Sequence, residues 1–164
     1  MIEDREDAIV GRLHRRVQNA DCKPFPSSPQ RYRKSGRDAE LFVSFRGSRP
    51  KDRGTVDLLG QVRVETWDVH IVANDLRTHT GAYLYLDGVR HLLHGWTCPE
   101  AAGPMTPAGE TFSGQDGGVW TYVSTFEHEV VVVADPGDED LPLLTRVTTV
   151  DDDGETNVTE SEAQ

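Results

Sequence analysis

The stretch from Gly60 to Gly95, GQVRVETWDVHIVANDLRTHTGAYLYLDGVRHLLHG, reads as one long strand, a short polar turn and one helix. In the strand, Val62 and Val64 share one parity, while Trp67, Val69 and Ile71 share the other. Side chains alternate with a period of two, so either the buried face switches or an extra residue forms a bulge near Glu65–Thr66. Asn74 to Thr80 carries turn and cap chemistry, with Thr78 or Thr80 placed to accept from the first helical N–H groups. Ala82, Leu86, Val89 and Leu93 then recur at helical spacing, flanked by Tyr85, Leu92 and Trp96. Tyr83, Asp87, Arg90, His91 and His94 fall on the other side. A helix this short needs tertiary packing, and laying it on a sheet satisfies both halves. No chemistry is evident in the stretch.

The rest of the chain reads as completing that sheet. Residues 3–19 form a helix with the stripe Ile2, Ile9, Leu13, Val17 and Ala20. Its acids (Glu3, Asp4, Glu6, Asp7) come first and its bases (Arg12, His14, Arg15, Arg16) last, which suits the macrodipole. Pro24, Pro26 and Pro29 bar helix and central strand from residues 21–40 and make that stretch an extended arm. Leu41 to Gly47 is a strand with Leu41, Val43 and Phe45 on one face, and residues 48–60 form a long hairpin loop with a partly basic tip. Thr97 to Gly109 is expected to wander, and Glu110 to Ser113 to be a short strand. The turn at Gly114–Gly118 leads into a long strand, Val119 to Val133, with Trp120, Tyr122 and Phe126 on one face. The expected fold is therefore α+β, a mostly antiparallel sheet with two helices packed on it, plus an extended C-terminal segment. The domain spans 1–134, an extra strand or arm 135–150, and an acidic disordered tail 151–164.

Composition narrows the function classes. The chain has 164 residues, 27% of them charged, and a net charge of -11. From Asp135 onward there are 10 acids against one base, Arg146; subtracting these from 28 and 17 leaves 18 acids and 16 bases in residues 1–134. The body is thus nearly neutral, which does not suggest a nucleic-acid-binding surface. No apolar run is long enough for a membrane helix, and MIEDREDAIV is too charged for a secretory signal. The expected place is the cytoplasm, or a larger assembly built there. Cys22 and Cys98 lack metal-type spacing; free thiols, a bridge between them and an intersubunit bond all remain open.

Catalytic patterns are sparse. No glycine loop follows a strand in phosphate-binding fashion, and no serine sits in a nucleophile elbow. His91 and His94, three apart on a helix, are the one pair spaced to share a metal, with His70, Glu127 or His128 as a third ligand. Glu127 and Glu129 lie two apart on one strand face, where an exposed or intersubunit edge accounts for them without acid–base chemistry.

The order of elements resembles a known family. The segment MIEDREDAI, the strand ELFVSFRG, the strand VETWDVHIVANDLR, the helix GAYLYLDGVRHLLHG and the strand DGGVWTYVSTFE together look like the tail-terminator, or tail-completion, proteins of Mu-like contractile-tailed phages. The resemblance covers roughly residues 2 to 130; after Val130 the hairpin-like segment and acidic tail look like an addition to the pattern. It implies a structural virion protein at the tail–neck junction, assembled in the host cytoplasm. Such a protein forms a homo-oligomeric ring, expected to be a hexamer, that caps the tail tube and sheath, stops tail polymerisation and offers a surface to the head–neck connector proteins. DNA passes through the ring without specific binding. The resemblance requires no enzyme activity, cofactor, metal or membrane. Candidate contacts with tube or sheath are Arg49, Lys51 and Arg53, and candidate intersubunit contacts on the arm are Arg31, Arg33 and Lys34. The competing classes are a small metal-dependent enzyme using His91 and His94, and a stand-alone ligand-binding module.

Overall fold

Residues 1–27, 36–51 and 60–133, together with the backbone of 146–150 and 156–160, are described by a computed structural model. The chain divides into two units, Met1–Val133 and Ala134–Gln164. In the first, the elements run α1 (Ile2–Arg16), β1 (Ala20–Pro24), β2 (Ala39–Pro50), β3 (Gly60–Ala73), α2 (Ala82–Leu93), β4 (Thr106–Asp116) and β5 (Val119–Val133). The strands form one sheet in the order β1-β2-β3-β5-β4, antiparallel except for the pair β1 and β2. This is the expected α+β architecture.

The long central strand β3 decides which residues are buried. It pairs with β5 without a break from Gly60↔Val133 to Ala73↔Trp120, so its alternation holds throughout. Trp67, Val69 and Ile71 lie on one face, and their cross-strand partners Phe126 on β5 and Val43 and Leu41 on β2 lie there too. Ile9 and Leu13 of α1 and Ala82, Tyr85, Leu86, Val89 and Leu93 of α2 join the same core. Both helices therefore cover one face. Trp67, Phe126, Leu41 and Ile71 are fully buried; burying a side chain of that kind contributes about 1.5–3 kcal/mol.

Val62 and Val64 stand on the opposite, open face. The change of parity in the sequence is thus a switch of buried face, the first of the two alternatives. A bulge exists, but in the neighbouring strand: the β2–β3 register shifts between Phe45 and Gly47, leaving Arg46 as the extra residue.

Several boundaries differ from the sequence expectation. Helix α1 stops at Arg16 and Asn19 takes a positive φ of 59°, which turns Ala20 out of the helix and into β1. Strand β1 occupies the proline-rich stretch as a sheet edge, the place where Pro24 is tolerated. The cap of α2 is Gly81, not a threonine. The Asp75 and Leu76 carbonyls accept from the Ala82 and Tyr83 N–H groups at 2.8 and 3.2 Å, so the turn's own backbone satisfies the helix start. The segment after α2 does not wander. Met105 is fully buried and pairs with Trp96 through its backbone, and β4 already begins at Thr106, far longer than Glu110 to Ser113. Composition hides β4 because its residues are nearly all exposed and two bulges break its period.

In the second unit, β6 (Arg146–Val150) pairs antiparallel with β7 (Thr156–Glu160). Five residues of the expected structureless tail are thus strand. Both segments are rich in β-branched residues, RVTTV and TNVTE, which outweigh the surrounding acidity.

Candidate functional site

The open face of the sheet is where charged side chains gather. Bulging at Arg46 turns its guanidinium to Asp68, whose two oxygens accept from Arg46 Nε and Thr125 Oγ1, each at 2.7 Å. One register step on, Glu127 accepts from Arg49 Nη2 at 3.0 Å and from Thr66 Oγ1 at 3.3 Å, and Lys51 pairs with Glu129. Ser44 and the Nε2 of His70 are 3.1 Å apart, and burial keeps His70 less basic than an ordinary histidine. Arg49 lies opposite Val64 on β3, yet its partner is on β5, so its stem crosses the central strand. That crossing accounts for an apolar Val64 left only 8% exposed on a face no helix covers.

Arg49 and Lys51 remain 61% and 52% exposed. An ion pair that wet contributes about 0–1 kcal/mol, so these cations can exchange their internal partners for carboxylates of another molecule at little cost. They do not sit on a loop tip, as expected from sequence. The β2–β3 ladder runs to Pro50↔Arg63, which puts Arg49 within the sheet and Lys51 at its end. Arg53, Arg31, Arg33 and Lys34 lie outside the described residues.

A second surface feature was not anticipated. Where α2 fails to cover the β4–β5 end of the sheet, Tyr83, Phe112, Trp120 and Tyr122 form a continuous row. Ring centroids are 6.0 Å apart for Tyr83–Tyr122, 5.2 Å for Phe112–Tyr122 and 6.0 Å for Phe112–Trp120. Tyr83 and Phe112 are 43% and 50% exposed. Adjacent exposed aromatics are the residue type that anchors protein interfaces. The parity of Trp120 and Tyr122 on β5 is legible in the sequence, and Phe112 falls within the expected strand Glu110 to Ser113; what the sequence does not show is that β4 pairs with β5 so as to set Phe112 beside them.

Beneath the helices the chemistry is internal. Arg5 of α1 forms a two-point pair with Glu65 at 2.7 and 3.0 Å, and His128 Nε2 donates to Glu65 Oε2 at 3.1 Å. Burial pushes the Glu65 carboxyl up, but the Arg5 and His128 hydrogen bonds more than offset it and hold it below the usual range. Burial likewise lowers His128 against the opposing pull of Glu65. The Nδ1 of His128 and the Nε1 of Trp67 are buried without a hydrogen-bond partner among the described residues. Cys22 and Cys98 are free and buried, which pushes their thiols up to about 12 and about 11; neither is a nucleophile at neutral pH.

The residues of the metal hypothesis are not brought together. His91 and His94 are exposed on α2, His128 is buried against Glu65, and His70 and Glu127 lie on the opposite face of the sheet. Among the described residues, no three His, Cys, Asp or Glu side chains gather as a metal site.

The small α+β body thus carries a charged open face and, at the β4–β5 end of the sheet, an exposed aromatic row. The sequence model of the Gp37 protein family matches residues 9–151. That is most of the chain, and the protein belongs to this family of phage proteins. No curated protein matches it.

Proposed function

We propose that this protein is a structural component of a phage tail, a terminator that closes into a ring on the last layers of tube and sheath. The ring stops polymerisation and presents its other side to the head–neck proteins. The observation that carries this reading is membership of a phage protein family, taken with an order of elements that resembles the tail terminators. The surfaces support it. A rigid sheet braced by two helices makes a reproducible wedge, and a head-to-tail contact between identical wedges closes a ring when its rotation permits. The open-face cations Arg49 and Lys51 are wet and weakly committed, which suits docking on a partner with exposed carboxylates. DNA passage needs only a channel, and no step in this role calls for catalysis, a metal or a cofactor.

Negative-stain microscopy of the purified protein, alone and mixed with isolated tails, tests the reading. Rings at tail ends, and tails of uncontrolled length when the protein is missing, are the expected outcome. A chain that stays monomeric beside isolated tails rejects the role. Replacing Arg49, Lys51 and Arg53 together with serine is expected to weaken attachment to tails while the fold survives, since exposed ion pairs contribute little to stability. Normal joining by that variant removes these cations from the interface.

A further inference from the structure

Several cations of the described body already have an anion. Arg5, Lys23, Arg46, Arg49, Lys51 and Arg90 each contact a carboxylate. Arg12, Arg15 and Arg16 do not, among the described residues. They sit three and four positions apart on the last turns of α1, so their side chains share one face. Arg12 is half-buried: its Nε donates to the Leu92 carbonyl at 2.6 Å, and its guanidinium lies 4.8 Å from the centre of the Trp96 ring. That contact brings the C-terminal turn of α2 alongside the patch. Arg15 and Arg16 are exposed. Each helix C-terminus offers roughly half a negative charge, so two ends neutralise about one of the three arginines. About two positive charges remain on an otherwise acidic chain.

The same chain carries the matching anion. Residues 135–164 hold 10 acids and one base, against a body of net -2. Spread evenly, a net charge of -11 would make copies repel. Segregated in this way, it lets one copy's acidic end attract another copy's basic patch. We infer that the α1 patch of Arg12, Arg15 and Arg16 is a docking surface for the acidic run Asp151, Asp152, Asp153 and Glu155 of a second copy of this chain. The contact is heterologous, patch to tail, and so propagates from copy to copy until a ring closes. This deepens the ring reading above and rests on it for its biological use.

Two full-length variants test it. Arg15→Gln with Arg16→Gln removes the exposed charges and keeps good helix formers. Asp151→Asn, Asp152→Asn, Asp153→Asn and Glu155→Gln neutralise the tail. Sedimentation velocity follows association at about 0.1 M and about 1 M salt, where the screening length shrinks from roughly 10 to 3 Å. The expected result is a wild-type chain that self-associates at low salt and separates at high salt. Each variant alone is weakened at least tenfold, on the order of two surface ion pairs. Mixed together, the variants form a one-to-one dimer and nothing larger, because one patch and one tail survive. Either variant alone associating like the wild type overturns the proposal and leaves the ring reading standing. A wild-type chain that is monomeric in solution also overturns it, and rings on isolated tails would then still support the terminator role.

Discussion

Gly81 shows how a single residue can hold a turn. Its φ of -86° suits any amino acid, so its backbone conformation does not require glycine. Space does. A Cβ there would lie 2.6 Å from the Leu76 carbonyl carbon and 2.7 Å from the Arg77 nitrogen. These are backbone atoms of the turn that caps α2 and cannot yield as a side-chain tip would. Gly81→Ala is expected to destabilise by about 3 kcal/mol, the upper end of ordinary overpacking. Gly88, within the same helix, has nothing within 4 Å of its built Cβ; Gly88→Ala is expected to stabilise by about 0.5–1 kcal/mol through helix propensity. Urea unfolding of the two variants checks both signs. That Gly81 stands at a helix start was legible. That the preceding turn folds back over it was not, because the contact depends on the path of Leu76 and Arg77.

At the scale of elements, α1 is held to β3 and β5 by the buried set Arg5, Glu65 and His128. Glu65 is a charged residue at a core-facing strand position, and its meaning appears only when α1 delivers Arg5 to it. His128 is held below an ordinary histidine by burial, so the folded state takes up fewer protons than the unfolded chain as pH falls. Its contribution is complete above the unfolded value of about 6.5 and is lost progressively as pH drops through the lower folded value. His70 is depressed in the same sense and adds to the effect. Glu65, also held low, adds its loss only in the carboxylate range. The unfolding temperature is therefore expected to fall between pH 7 and pH 5. His128→Gln, whose amide can still donate to Glu65, should flatten that fall partly, leaving the His70 share. Calorimetry across this pH range measures the difference, and an unchanged slope would assign the effect elsewhere.

For the whole molecule, the division at Val133 matters most. Val131, Val132 and Val133, the last residues of the first unit, are 55%, 48% and 67% exposed. A chain ending after Val133 is expected to keep the body's thermal unfolding within about 0.5 kcal/mol of the full protein, as surface changes away from special features do. Differential scanning calorimetry of both chains tests this. The same truncation removes the acidic segment, so folding and self-association can be read separately.

The chain by itself determined the α+β class, the core stripe of α2, the inward row Trp67, Val69 and Ile71, and the segregation of negative charge. These follow from local periodicity and composition, which need no knowledge of neighbours. Only the tertiary structure decided that Val64 is covered by side chains crossing from β2, that Glu65 is matched by Arg5 sixty residues away, and that exposed β4 runs well beyond Glu110 to Ser113. Each of those depends on partners distant in sequence, and pairing across a sheet leaves no periodic trace in the strand that receives it.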